Sequence, residues 1–107
     1  RINSLLGDSS AEKLEFKDLV INLKTYEAII DGVLLDLTFM EYELLKFFIE
    51  NQDSVWSREE LLEKVWGYDY FGGARTVDVH VRRLRSKLGE KRLDWIKTVH
   101  SVGYKFN

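Results

Sequence analysis

The sequence has no cysteine and no proline, and it contains no long hydrophobic run. Without cysteine, the chain cannot form disulfides, use a thiolate in catalysis or build a zinc site on sulfur. Without proline or a low-complexity segment, nothing marks a second domain within 107 residues, the size of one ordinary domain. No apolar stretch approaches the roughly eighteen residues of a membrane span, and no signal peptide is visible. We therefore expect a cytoplasmic protein without a membrane partner.

Motifs of catalysis are missing as well. The chain has no glycine-rich phosphate loop, no nucleophile elbow and no histidine paired with a serine by motif. Glu59 and Glu60 are adjacent, and adjacent positions of a helix diverge, so these carboxylates do not form an acid–base pair. The two histidines, His80 and His100, lack a third ligand at metal spacing. We expect no enzymatic activity, no metal and no other cofactor.

Positive charge is concentrated in the C-terminal third of the chain. The net charge is −2, yet residues 1–74 hold 7 basic and 15 acidic side chains, whereas residues 75–107 hold 9 basic and 3 acidic ones. Such segregation focuses a positive field on one part of the surface, even when the total charge would repel a polyanion. A localised contact with nucleic acid is therefore compatible with an acidic protein.

Short apolar runs between Leu14 and Leu37 predict a small antiparallel sheet. The runs are LEF, LVI, YEAII and VLLDL. Asp31-Gly32 separates the last two, and Asp-Gly between apolar runs indicates a two-residue hairpin because glycine tolerates positive φ.

Two capping boxes predict the starts of two helices. Glu41 follows Thr38 by three residues, and Glu60 follows Ser57 in the same way. In each box the hydroxyl can accept a hydrogen bond from a free backbone amide while the carboxylate reaches back to the amide of the capping residue. Apolar residues at helical spacing follow both boxes, so each box begins a helix with one face toward the core.

A third helix is predicted over residues 75–88, with Gly89 in the usual position just past its end. At about 100° per residue, four apolar side chains form one narrow core stripe: Val77, Val81, Leu84 and Leu88. The opposite side carries Arg82, an exposed Val79 and Arg83. After this helix, WIKTV and YKF flank HSVG and predict a β-hairpin. The order of small sheet, three helices and terminal hairpin describes an α+β winged helix-turn-helix.

Two interpretations of the basic helix compete. A solvated face explains exposed arginines, but it has no use for a β-branched apolar residue at its centre, which a thymine methyl could contact. Arginine can also bind guanine O6 and N7 with two hydrogen bonds, while flanking cations suit phosphates. A winged-helix module that binds only protein is the alternative function, and its third helix would be apolar or acidic. The basic helix favours DNA.

At this point the sequence resembles a known family. RTVDVHVRRLRSKLG, preceded by SREELLEKVWG and followed by TVHSVGYKF, is similar to the C-terminal effector domain of OmpR/PhoB-type response regulators. The similarity runs from about Leu14 to Asn107 and includes a four-stranded N-terminal sheet. Residues 1–13 look like the end of a receiver helix and a linker, and residues 14–107 like the winged-helix DNA-binding domain. Because the sequence begins at Arg1 rather than methionine, we expect a piece of a longer protein whose phosphorylatable receiver is not in this chain.

The resemblance implies roles for individual residues. Helix 75–88 would enter the major groove, and the wing, residues 98–104, would lie at the minor groove. The positions that match base contacts are Val79, Arg82 and Arg83. Those that match contacts with the DNA backbone are Trp66, Arg75, His80, Arg85, Thr98 and Tyr104. The loop from Trp66 to Ala74, with Tyr68, Tyr70 and Phe71, corresponds to a segment that can engage RNA polymerase.

The resemblance also implies partners. A sensor histidine kinase would act through the receiver, and the domain, mainly monomeric alone, would bind tandem direct-repeat half-sites as a dimer on DNA. One departure concerns the wing tip, where the family usually has arginine and glycine and this sequence has His100 and Ser101.

Structural alternatives stand beside these roles. Trp66 can be a core residue, the loop aromatics can fold back onto the body, Tyr104 can be ordinary strand packing, and His100 can merely close its turn. Asp78 is expected to pair with Arg75 or Arg82 on the same helix.

Overall fold

The N-terminal part of the domain is a four-stranded antiparallel sheet. The computed structural model describes residues 13–67, 70 and 72–107, so most of the predicted linker, Tyr68 and Phe71 lie outside the described residues. The strands follow one another in space as in sequence: β1 Lys13–Phe16, β2 Leu19–Asn22, β3 Glu27–Ile30 and β4 Val33–Leu34. The predicted four-stranded sheet is confirmed.

The hairpin between β3 and β4 is the one that Asp31-Gly32 predicts. Ile30 pairs with Val33, and the two residues between them have φ values of 51° and 79°. Both central residues thus adopt positive φ, as a two-residue hairpin of the favoured twist requires. Alternate positions of the strands are buried, and they supply one wall of the core: Phe16, Leu19, Ile21, Ala28 and Ile30.

The first helix, α1 (Phe39–Glu50), begins at the predicted capping box. Thr38 Oγ1 accepts from the amide of Glu41, and the Glu41 carboxylate accepts from the amide of Thr38 at 3.0 Å. The same carboxylate is 1% exposed and lies 2.5 Å from Lys87 Nζ in the third helix. Burial alone would raise the pKa of Glu41, but the bonds from Lys87 and Thr38 outweigh it and lower the pKa. The Lys87–Glu41 ion pair therefore connects the third helix with α1.

The second helix follows a strand that the sequence analysis missed. This strand, β5 (Val55–Ser57), runs directly into α2 (Arg58–Leu61), which starts at the second predicted capping box. The helix continues as a π-helical segment over Leu62–Trp66 and stops at Gly67, whose φ is 102°. Strand β5 escaped prediction because three residues between a loop and a cap carry too little periodicity.

The third helix, α3 (Arg75–Leu88), has the predicted bounds and the predicted core face. Val77, Val81, Leu84 and Leu88 are its buried residues, and Gly89 follows with a φ of 97°. A 3₁₀ segment, Glu90–Trp95, then leads away from the helix, and Arg92 in it pairs with Asp18 in the β1–β2 turn.

The chain ends in a three-stranded antiparallel sheet rather than in an isolated hairpin. Strands β6 (Ile96–Val99) and β7 (Gly103–Phe106) form the predicted wing, and β5 pairs with the other side of β7. Gly103 pairs with Ser57 so closely that a Cβ at this position would collide with the carbonyl oxygen of Trp56. The predicted winged-helix fold is therefore confirmed, with β5 as an addition that connects the wing to the start of α2.

Candidate nucleic-acid interface

The side of α3 opposite its core stripe carries exposed positive charge. Arg82 and Arg83 are exposed, as is Arg75 in the first turn. Val79 is half-buried, whereas the helical wheel predicted an exposed side chain. Arginines occupy the positions four before, three after and four after it, so their long stems are its neighbours on the helix surface. The result is a small apolar surface between guanidinium groups.

The single acidic residue of α3, Asp78, is neutralised by residues of other elements. Its Oδ2 lies 2.9 Å from Arg58 Nη1 in α2, and its Oδ1 accepts a hydrogen bond of 2.6 Å from the Tyr104 hydroxyl in β7. The expected pairing with Arg75 or Arg82 is therefore wrong. Two partners supplied by packed elements replace a weak bridge along one helix.

These contacts shift the pKa values of Asp78 and Tyr104. Burial would raise the pKa of Asp78, but the hydrogen bonds from Tyr104 and Arg58 outweigh it, and the pKa is lowered. Burial of Tyr104, followed by its hydrogen bond to the carboxylate, raises the pKa of the phenol to about 12. Asp78 is therefore ionised at neutral pH, and its charge is matched by Arg58 on the side of α3 that faces α2 and the wing.

Arg85 also contacts the wing. Its Nε and Nη2 donate to the Ile96 carbonyl at 3.0 and 2.5 Å, and Nη2 donates to Thr98 Oγ1 at 2.9 Å. The guanidinium carbon lies 5.8 Å from the centre of the Tyr104 ring. Within the part of the chain that the structure describes, Nη1 of Arg85 makes no hydrogen bond. Its two N–H groups are therefore available to a phosphate.

Trp66, Tyr70 and His80 form a second group at the start of α3. The Trp66 and His80 rings meet edge to face with centroids 5.0 Å apart, and the Tyr70 ring lies 6.4 Å from Trp66. His80 Nδ1 lies 2.8 Å from the carbonyl of Thr76, so this nitrogen carries the proton and donates. Trp66 is half-buried and Tyr70 is 40% exposed. Trp66 therefore packs against its neighbours, as the structural alternative expects, while Tyr70 in the loop remains accessible to a partner.

The wing turn presents its tip to solvent. His100, Ser101 and Val102 are exposed, and the Val102 amide donates to the Val99 carbonyl at 3.0 Å. Ser101 has a φ of 65°, a conformation that favours glycine. The departure from the usual glycine thus falls on a residue with left-handed backbone geometry.

Apart from His100 at the wing tip, the predicted site residues that the structure describes fall into three groups in space: Val79 with the neighbouring α3 arginines, the Arg85–Thr98–Tyr104 contact and the Trp66–Tyr70–His80 cluster. Sequence reasoning missed Arg58, which precedes its partner Asp78 by twenty positions. The sequence does indicate that Asp78 and Arg85 face the same neighbouring element, because they are seven residues apart and therefore share a face of α3. Among the described residues, no cluster of histidine, cysteine, aspartate or glutamate could hold a metal ion, and no helix is long and apolar enough to cross a membrane.

Comparison with known proteins is consistent with this geometry. A family model described as "Transcriptional regulatory protein, C terminal" matches residues 32–106. The transcriptional regulatory protein ResD of Bacillus subtilis (strain 168) is 46% identical over 96 residues, which are 87% of this chain and 40% of ResD.

Two solved structures are similar over most of the chain. The Klebsiella pneumoniae RstA DNA-binding domain in complex with the RstA box is 29% identical, with a TM-score of 0.77, and the match covers 89% of this chain and 96% of that one. The Thermotoga maritima response regulator DrrB, an OmpR/PhoB homologue, is 32% identical, with a TM-score of 0.78, and the match covers 100% of this chain and 49% of DrrB. The chain thus spans less than half the length of ResD and of DrrB.

Proposed function

The chain belongs to the family of C-terminal domains of transcriptional regulatory proteins, and from this membership we propose that it reads double-stranded DNA as the output domain of a response regulator. In this proposal α3 enters the major groove and the wing, residues 98–104, lies at the minor groove. The observation that carries it is the exposed face of α3, where Arg82 and Arg83 flank Val79 while the charge of Asp78 is matched on another side. Such a face suits base edges and phosphates together.

Base contacts are assigned to Val79, Arg82 and Arg83. The two arginines are exposed, and the partly covered valine between them offers a methyl surface to a thymine. Contacts with the DNA backbone are assigned to Trp66, Arg75, His80, Arg85, Thr98 and Tyr104, and the minor-groove contact to His100. Support for the backbone set is strongest at Arg75 and Thr98, which are exposed, and at Arg85 through Nη1.

Substitution of two arginines tests the assignment to base and backbone. Arg83→Ala is expected to cost about 1–3 kcal/mol on a specific site and to relax the preference at one base pair. Arg75→Ala removes a phosphate contact, so it is expected to weaken binding to specific and random duplexes alike and to reduce the salt slope by about 1. Both are measured by fluorescence anisotropy on the duplex enriched from a random library and on a scrambled one. Equal losses on both duplexes for Arg83→Ala would refute its base contact.

Salt dependence separates the DNA-binding function from a protein-binding module. A domain that neutralises several phosphates loses affinity linearly in log[salt], because counterions are released from the duplex. We expect a mobility shift of a mixed-sequence duplex at low salt that disappears as salt rises. No shift at any salt concentration would favour the protein-binding alternative.

The loop from Trp66 to Ala74 is proposed to contact RNA polymerase. Tyr70 supports this, because its ring is 40% exposed at the edge of the Trp66–His80 cluster. Tyr68 and Phe71 share the assignment and lie outside the described residues. Tyr70→Ala is expected to leave DNA affinity within about twofold of the parent and to reduce transcription in a reconstituted assay. Lost DNA binding or a lowered melting temperature would mean that the loop is structural.

The remaining partners belong to the longer protein that the relatives represent. We propose a receiver domain phosphorylated by a sensor histidine kinase, a cytoplasmic location, and binding of two domains to tandem direct-repeat half-sites about one helical turn apart. The isolated domain is expected to sediment as a monomer and to protect a direct repeat in a footprint. Protection of a single inverted repeat would contradict the head-to-tail arrangement.

A further inference from the structure

Helix α3 has a third face besides its core stripe and its basic face. Asp78 and Arg85 are separated by seven residues, which places them about 20° apart on the helix. Each binds a different strand of the wing: Asp78 accepts from Tyr104 in β7, and Arg85 donates to Ile96 and Thr98 in β6. The face between the core and the basic side is thus occupied by polar contacts with the wing.

Several residues that make these contacts, Asp78, Thr98 and Tyr104, line a cleft between the helices and the wing. The cleft has a volume of about 360 Å³ and lies between the start of α2, the first turns of α3 and the wing. Arg58 and Asp78 line it from the helices, and residues 98, 99 and 101–104 line it from the wing. The base of the wing is anchored differently, because Ile96 and Phe106 are buried in the core. Nearer the wing turn, the hydrogen bonds of Asp78 and Arg85 add directional contacts to the packing of Tyr104 in the core.

We propose that Asp78 and Arg85 are positioning residues that fix the angle between the major-groove helix and the minor-groove wing. Tyr104 connects them, since its hydroxyl binds Asp78 while its ring lies beside the Arg85 guanidinium. Arg58 completes the arrangement from α2 and neutralises the Asp78 carboxylate. This inference rests on the proposed DNA-binding function and adds the coupling between its two reading elements.

The geometry explains why an acidic residue lies in a helix that binds a polyanion. Hydrogen bonds depend steeply on direction, so one bond from β7 and three bonds to β6 restrict the tilt of the wing. A carboxylate strengthens the bond from Tyr104, because charge-assisted hydrogen bonds are stronger than neutral ones. If Asp78 acted only through its negative charge, its removal should tighten binding to any duplex. The positioning role predicts a loss in discrimination despite that gain.

The experiment measures minor-groove and major-groove discrimination separately. The probe is the duplex that the parent domain enriches from a random library. One derivative replaces adenine under the wing by 2,6-diaminopurine, which adds an amino group in the minor groove only, and another exchanges a base pair under α3. Asp78→Ala is expected to reduce the minor-groove preference to within about twofold of none, while the preference at the α3 base pair stays within twofold of the parent.

Two variants with the same change of charge serve as controls. Asp78→Asn keeps an oxygen that can accept from Tyr104, so it is expected to retain most of the minor-groove preference. Asp18→Ala breaks the Asp18–Arg92 pair, which joins the β1–β2 turn to the 3₁₀ segment, and is expected to leave both preferences unchanged. Circular dichroism at the assay temperature establishes that each variant is folded.

The possible results are distinct. Retained minor-groove preference in Asp78→Ala, or a parallel loss of both preferences, would overturn the positioning role. A parent domain that binds the duplex but ignores diaminopurine would also overturn it while leaving DNA binding intact. A parent that binds no duplex would instead refute the proposed function itself.

Discussion

The two sheets of the domain differ in how their side chains contribute to packing and hydrogen bonding. The N-terminal sheet turns a set of apolar side chains into the core, among them Leu19 and Ile21, which are fully buried. The C-terminal sheet shares that core through Ile96, Tyr104 and Phe106. Unlike the N-terminal sheet, it also forms hydrogen bonds with Arg85 and Asp78 of α3.

This difference separates the contacts that stabilise the fold from those that orient the wing relative to α3. Apolar burial is favourable in proportion to area and nearly independent of direction, so the N-terminal sheet stabilises the helices without specifying a precise angle. Hydrogen bonds are directional and contribute little net free energy, so the wing contacts orient one reading element against another at little gain in stability. Substitutions in the two sheets should therefore affect different properties.

The largest effect is expected from the core of the N-terminal sheet. Leu19→Ala removes a fully buried side chain, and the lost transfer free energy and the cavity should lower the free energy of unfolding by about 2–5 kcal/mol. Urea denaturation measures this loss, and the DNA preferences of the folded fraction should not change. Val33→Ala is the matched control, because Val33 is 63% exposed in β4 and should shift stability by less than about 0.5 kcal/mol. A change in base preference for Leu19→Ala would break the separation.

A smaller but broader effect is expected at Gly103. A Cβ here would collide with the Trp56 carbonyl and approach Ser57 Cα, so Gly103→Ala must displace β7 from β5. We expect a loss of about 1–3 kcal/mol in stability together with weaker DNA binding, because the displaced strand carries the wing. Gly73→Ala is the control, since a Cβ there meets no atom within 4 Å. Equal melting temperatures for Gly103→Ala and the parent would contradict the close approach.

Tyr104 provides a pH-dependent test of the wing contacts. Burial and the hydrogen bond to Asp78 raise the pKa of Tyr104 to about 12, above that of a phenol in the unfolded chain. Its contribution to stability, about 1 kcal/mol, is therefore complete below pH 10 and is lost as pH rises toward 12. The stability difference between parent and Tyr104→Phe should shrink across that range.

Absorbance at 295 nm reports the same ionisation directly. Asp78→Asn removes the negative charge and should lower the pKa of Tyr104, which is obtained by subtracting the titration of the corresponding Tyr104→Phe variants. An unchanged pKa in Asp78→Asn would show that the negative charge of Asp78 does not contribute to the shift.

The limits of prediction from sequence follow the same division between the sheets. The hairpin at Asp31-Gly32, the capping boxes at Thr38 and Ser57 and the bounds of α3 were predictable, because each depends on residues close in sequence. Strand β5 was missed because it forms only by pairing with β7, almost fifty residues later. Asp78 was paired wrongly for the same reason.

The smallest effect is expected at the wing tip. His100 is exposed, and arginine, the usual residue of the family there, is charged at every accessible pH and fits a narrow, strongly negative minor groove. If His100 enters the groove, His100→Arg should tighten binding by up to about 1 kcal/mol at pH 7.5 and steepen the salt slope by about 1. Because arginine stays charged throughout, binding by His100→Arg should be the same at pH 7.5 and at pH 6.

Two controls decide whether this effect belongs to His100. His80 is the other histidine of the chain, and it contacts the Thr76 carbonyl and Trp66 beside the residues assigned to the DNA backbone, so it needs a control of its own. His80→Gln keeps an amide that can donate to the Thr76 carbonyl, so any pH dependence of parent binding should persist in this variant if it arises at the wing. His100→Ala removes the side chain while the Val99–Val102 turn bond, made by backbone atoms, remains possible. If parent binding is flat from pH 7.5 to 6 and His100→Ala binds like the parent, His100 only closes its turn. Other wing residues would then make the minor-groove contact, and the proposed role of Asp78 and Arg85 in fixing the angle between α3 and the wing would be unaffected.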